Sequence, residues 1–245
     1  MLMENVGTSF GFAESEKSMF ISKTYGWMAV ALLVSAFFAF LTKNLMFTSA
    51  GYVTSFGKFM LINRGIFIFA IAEVALVWIL SSMIRKISVQ TAVIGFLAYA
   101  VLNGVTLSSI LIVYRIGSIA SCFFGSAAMF GLMSLYGAKT KKDLSSWGKY
   151  LIMALIGVII TNLIQILIGL FTGADFRVLD FLLSIVTVVI FTGLTAYDTQ
   201  KLVRVAEYAN GSDDYKKVSI FAALELYLDF INLFLTVLRI FGRRR

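Results

Sequence analysis

Two aspartates stand in runs of sequence where an ionisable group is expensive. Asp198 lies in LTAYDTQKL, residues 194–202, and Asp229 in LYLDFINLF, residues 226–234. Both runs are apolar enough to sit in a lipid bilayer. An ionised carboxylate at the centre of a membrane helix costs roughly 2.5–3.5 kcal/mol on insertion scales. Two carboxylates in contact in a partly dry site do not comfortably both ionise; they share a proton and titrate as a pair. Deprotonated, the same oxygens make a hard site suited to a divalent cation such as Ca²⁺. Proton and cation then compete, which would give a chain without a single histidine a pH sensor. Arg85, at the end of the second apolar segment, is the candidate to pair with the freed charge and act as a pH-dependent latch.

Other strongly polar residues are scattered through the apolar runs. Glu73 lies in the second segment, Asn103 and Thr106 in the third, and Asn162 and Gln165 in the fifth. The seventh carries Glu225, Asp229, Asn232 and Arg239 at spacings of 4, 3 and 7 residues, which places all four on one helical face. A helix with such a stripe cannot turn it toward lipid, so the last helix is expected to be enclosed by the others. Buried amides and hydroxyls in membranes more often hold helices together than perform chemistry. Glu73, Glu225 and Asn232 remain candidate additions to the aspartate site.

These residues need elements to carry them. The chain has 245 residues, 60% of them hydrophobic and 14% charged, against about 45–50% and about 25% in a typical soluble domain. Mean hydropathy is +0.91. Apolar runs long enough to cross ~30 Å of hydrocarbon can be drawn at about 24–42, 65–84, 89–114, 117–138, 150–172, 179–200 and 218–241. The expected fold is an all-α membrane protein, a seven-transmembrane-helix bundle with the last helix central. Residues 1–23 form a polar N-terminal segment and 24–245 the membrane domain; no cleaved signal peptide is evident.

One cysteine, Cys122, permits no internal disulfide, and the lack of histidine removes His-dependent catalysis and His-liganded zinc. No Walker A, GxGxxG or GxSxG motif occurs, so an enzyme is not expected. The net charge of +8 is assigned to short loops that orient helices and not to nucleic acid. With seven spans, twelve Lys and Arg fall on the N-terminal side and five on the other, or nine with Arg239 and the terminal Arg243, Arg244 and Arg245. The balance favours a cytoplasmic N-terminus, while the basic tail argues the other way: either it is translocated or the last segment does not fully cross. Proline is absent, so any hinge must use glycine, for example Gly193. Ser121 with Gly125, and Ala127 with Gly131, have the four-residue spacing that lets helices approach closely.

The motifs FTGLTAYDTQKL at 191–202 and LYLDFINLFLTVLRIFG at 226–242 resemble the Bax inhibitor family in its bacterial branch. GAKTKKDLS at 137–145, NGVTLS at 103–108 and Glu73 in AEVALV agree in order and spacing. The resemblance implies seven helices with the last one central, and a pH-sensitive calcium leak across a bacterial inner membrane. It places the family's paired aspartates on Asp198 and Asp229, and its latch arginine in the stretch at the end of the second helix, on Arg85 with Lys86 as the alternative. No cofactor is implied; Ca²⁺ is the permeant or transiently bound ion. Expected partners are the lipid bilayer, Ca²⁺ and protons. An alternative role follows from the same resemblance: an interaction protein that modulates a membrane-bound AAA protease or stress and cell-death regulators, with residues 1–23 as the handle. Glu225 departs from the family pattern, where a small or hydroxyl residue is usual, and stands one turn from Asp229.

Overall fold

The computed structural model describes residues 2–62, 65–83, 86–172, 175–209 and 212–245, with side chains from Glu14 onward. Among them are eight helices and no strand: α1 Leu2–Met46, α2 Ser55–Leu61, α3 Gly65–Met83, α4 Val89–Val113, α5 Ile116–Lys139, α6 Ser145–Thr172, α7 Arg177–Ala206 and α8 Asp213–Phe241. All but α2 contain a stretch long and apolar enough to cross a membrane, so the seven expected spans are present. With no proline to interrupt a backbone ladder, the helices run past the apolar limits read from hydropathy. α7 continues to Ala206 and α8 begins at Asp213, which shortens the connection between them to a few residues. Local chemistry sets several ends. Ser88 caps α4 by accepting from the Thr91 amide at 3.1 Å, and Thr54 caps α2 by accepting from Gly57 at 3.0 Å. Asp213 and Asp214 open α8 and Arg204 lies in the last turn of α7, matching the positive and negative ends of the helix dipole.

The last helix is the most enclosed, as its polar stripe requires. Of its apolar stretch 67% is buried, against 6–39% for the other six spans. Two compact units divide the chain. One holds Met1–Arg115, Arg204–Tyr227 and Arg244–Arg245; the other holds Ile116–Val203 and Leu228–Arg243.

In the first unit α1, α4 and the first half of α8 run in the same direction. Thr24 Oγ1 meets Ser219 Oγ at 2.8 Å near their starts, and Ser35 meets Tyr227 further along. Gly104 lets α4 approach α1, since a Cβ there would collide with the Ser35 carbonyl and the Phe38 side chain. At the far end the Arg245 amide donates to the Val113 carbonyl at 3.0 Å, and Arg245 lines a cavity with Lys43, Thr48 and Ile112. The chain end therefore lies at the end of α1 and α4 opposite Lys17 and Lys23. Of the two readings of the basic tail, this placement fits the one in which the tail is translocated.

In the second unit α5 packs on the second half of α8 through edge-to-face rings. Phe230 sits between Phe123 and Phe130, at centroid distances of 5.3 and 5.6 Å, and Phe234 adds a further contact to Phe123 at 5.8 Å. This packing fixes the phase of α5 and overturns the expectation drawn from its small residues. Ser121 and Gly125 are exposed, and a Cβ at Gly125 or Gly131 would meet nothing within 4 Å. The buried row is Cys122, Ser126, Phe130, Ser134 and Gly137, and at Gly137 the backbone of α7 comes within contact at Ala196. Four-residue spacing marks a face but not which face, and the phenylalanines decide that. Gly193 is also no hinge: α7 is continuous through it, and the missing side chain makes room for Leu151 of α6.

Gly137→Ala forces a methyl against the Ala196 carbonyl. It is expected to destabilise the protein by about 1–3 kcal/mol, the usual range for overpacking, while Gly125→Ala leaves stability unchanged or slightly raised. Thermal unfolding of the two variants in detergent micelles checks the contrast.

Candidate functional site

Asp198 and Asp229 belong to the same compact unit. Asp229 is 5% exposed, on the most enclosed helix, beside the phenylalanine that packs against α5. Asp198 is half-buried and lies eight residues before the end of α7, so it sits deeper in its helix than the hydropathy limit at residue 200 suggested. The helix around it is held on several sides. Ala196 abuts Gly137 of α5, and the Tyr197 ring fills the space left by Gly148 of α6. Gln200, 7% exposed, accepts from the Leu144 amide at 2.9 Å and donates to the Lys142 carbonyl at 2.8 Å. The basic loop after α5 is thus exposed in its side chains yet pinned by its backbone to the helix that carries Asp198.

The remaining candidates separate. Asn232 donates to the Leu228 carbonyl of its own helix at 2.8 Å. Glu225 is half-buried and Arg239 exposed, so the stripe on α8 does not lie against one environment. Arg85 falls outside the described residues. Gln165 of α6 donates to Asp180 of α7 at 3.1 Å, a link between helices as expected of a buried amide. Among the described residues no group of three or more Asp, Glu, Cys or His side chains gathers where a metal ion could be held.

Glu73 belongs to a different constellation, in the first unit. Its two carboxyl oxygens accept from Asn103 Nδ2 at 3.0 Å and from Thr106 Oγ1 at 2.7 Å, both on α4. Asn103 Oδ1 accepts from the Tyr227 hydroxyl of α8 at 2.9 Å. That hydroxyl also meets Ser35 Oγ of α1 at 2.6 Å, and Ser35 donates to the Ala100 carbonyl at 2.7 Å. Tyr227 is completely buried, with Phe96 and Tyr99 edge-on to its ring. Four helices, α1, α3, α4 and α8, meet in this polar chain. The residues that sequence reading missed are Tyr227 and Ser35. Their signal is faint: a tyrosine two positions before Asp229, and one serine in an otherwise apolar stretch of α1.

Seven apolar spans, an enclosed last helix and a buried carboxylate within it define a polytopic integral membrane protein. The family model described as "Inhibitor of apoptosis-promoting Bax1" matches residues 17–245. An Escherichia coli K12 protein named inner membrane protein YbhL is 45% identical over 229 residues, covering 92% of each chain. A Borreliella burgdorferi protein is 42% identical over 236 residues, covering 94% of each, and a Streptococcus pyogenes membrane protein is 37% identical over 230 residues, covering 92% and 93%. The chain belongs to the Bax inhibitor family.

Gln200→Leu removes both backbone links to the loop after α5. Two such bonds at about 1 kcal/mol each raise the open population of the loop roughly thirtyfold. Limited trypsin digestion in micelles is expected to cleave after Lys139, Lys141 and Lys142 much faster in this variant, while thermal unfolding shifts only slightly.

Proposed function

We propose that this protein is a pH-sensitive calcium leak channel of a bacterial inner membrane, with its N-terminus in the cytoplasm. Asp198 and Asp229 are the proton sensor and the transient cation site, and no enzymatic step is involved. The observation that carries the reading is Asp229 itself: a carboxylate 5% exposed, near the middle of the most enclosed span, in a position that costs energy unless it is used. Membership of the Bax inhibitor family supports it, as does the inner-membrane name of the E. coli relative. When the pair shares a proton it presents one charge to the path. When the proton leaves, two carboxylates attract Ca²⁺, and Arg85, the latch that the resemblance implies, is proposed to compete for them.

Purified protein in liposomes loaded with a calcium indicator tests this between about pH 6 and 8, the range in which a proton-sharing carboxylate pair can titrate. The expected result is Ca²⁺ entry that changes several-fold with pH in the unaltered protein. In Asp198→Asn and Asp229→Asn that pH dependence disappears. Glu225→Gln reports whether the half-buried acid one turn away contributes. Flux no greater than that of empty liposomes at any pH overturns the channel reading and turns attention to a membrane protease or another protein partner.

A further inference from the structure

The Glu73 constellation makes five contacts between helices that each need a hydrogen. They are Thr106 to Glu73, Asn103 to Glu73, Tyr227 to Asn103, Tyr227 to Ser35, and Ser35 to the Ala100 carbonyl. The neutral side chains supply four: one hydroxyl proton each from Thr106, Tyr227 and Ser35, and one amide proton from Asn103, whose other end must accept. If Glu73 is ionised, Asn103 gives its amide proton to the carboxylate and Tyr227 gives its hydroxyl proton to Asn103. Ser35 then has one proton for Tyr227 and Ala100, at 2.6 and 2.7 Å, and for the Ala31 carbonyl of its own helix at 3.0 Å, so at least one contact between helices is left as two lone pairs face to face. No water is at hand in a hydrocarbon setting to relieve it.

A fifth proton on Glu73 fills the contacts between helices, while the own-helix carbonyls of Ala31 and Asn103, 3.0 and 2.9 Å from Ser35 and Thr106, are left to the amides of the helical backbone. The amide of Asn103 makes a half-turn, which exchanges its oxygen and nitrogen without moving its outline. Glu73 then donates to the Asn103 oxygen, Asn103 to Tyr227, Tyr227 to Ser35 and Ser35 to Ala100, while Thr106 donates to the second carboxyl oxygen. Every one of the five contacts is filled. We infer that Glu73 is a proton-binding site, occupied in this conformation, whose proton sets the direction of a hydrogen-bond chain from α3 through α4 and α8 to α1. Losing the proton reverses the chain and breaks its last link at Ser35, loosening α1 from α8 or α4 at that level.

The titratable groups that face Glu73 are two tyrosines, Tyr99 of α4 and Tyr227 of α8. α3 carries no other ionisable side chain, α4 none besides Tyr99, and α1 none between Gly26 and Thr42. On α8 the nearest acids, Glu225 and Asp229, stand two residues to either side of Tyr227, which turns them to the opposite face of the helix. Among the described residues of these four helices, no lysine or arginine is in contact with Glu73, whose hydrogen-bond partners are neutral. Glu73 belongs to a different compact unit from Asp198 and Asp229, and its role as a proton site does not depend on the channel reading.

Infrared spectroscopy of the full chain in lipid nanodiscs tests the inference without any flux measurement. The unaltered protein should show a protonated-carboxyl carbonyl band at neutral pH that moves on ¹³C-glutamate labelling, persists in Asp198→Asn and Asp229→Asn, and vanishes in Glu73→Gln. Tyr227→Phe should shift the band, because Asn103 loses a partner. Glu73→Gln, which mimics the neutral acid, should fold with an unchanged unfolding temperature at neutral pH. Identical carbonyl regions in the unaltered protein and Glu73→Gln overturn the inference. So does a band insensitive to glutamate labelling, or a Gln variant that is destabilised or fails to fold.

Discussion

A polar side chain inside hydrocarbon has no solvent to fall back on, and much of this architecture follows from that. Each hydroxyl, amide or carboxyl in a span must find its partner in protein. Most serines and threonines do so locally, as Ser184, Thr195 and Thr236 do by donating to the carbonyl one turn earlier in their own helix. Carboxylates, and amides such as Asn103 and Gln165, recruit other helices. Glu73 is met from α4, and Asn103 passes the contact to α8. The helix with most such groups is therefore the one drawn furthest inside.

The same constraint explains why the two compact units are built differently. In the first, helices are held by a polar chain and by a close approach at Gly104. In the second, aromatic edges and backbone-to-backbone contact at Gly137 do most of the holding. Polar links are directional and depend on protonation; aromatic packing is neither. A change in the proton occupancy of Glu73 thus acts on the first kind of joint.

Much of the fold was legible in the sequence because bilayer thickness imposes a length that hydropathy reports directly. The seven spans, the polar stripe on the last and its enclosure could be read without coordinates, and so could the unusual position of Asp229. Pairings between helices could not. Glu73 was visible as an acid out of place, but nothing in AEVALV tells that its partners are Asn103 and Thr106. Tyr227 was hidden by its ordinariness, since a tyrosine in an apolar run is unremarked until its hydroxyl is seen to join three helices. Gly125 and Gly131 matched a packing pattern that Gly137 fulfilled, because spacing gives period and only the facing helix gives phase.

The position of the chain end bears on how the protein enters its membrane. Lys17 and Lys23 stand toward one end of the α1 span, and Arg244 and Arg245 at the opposite ends of α1 and α4. Whichever way the bundle is inserted, one of these cationic groups must be carried across the bilayer. A charge carried outward moves against the membrane potential at about 2.3 kcal/mol per 100 mV. Arg244 is held where it lies: it pairs with Tyr114 through the backbone and stands 6.0 Å from the centre of its ring, so a charge that had crossed on this side would be kept there by protein and not by the field.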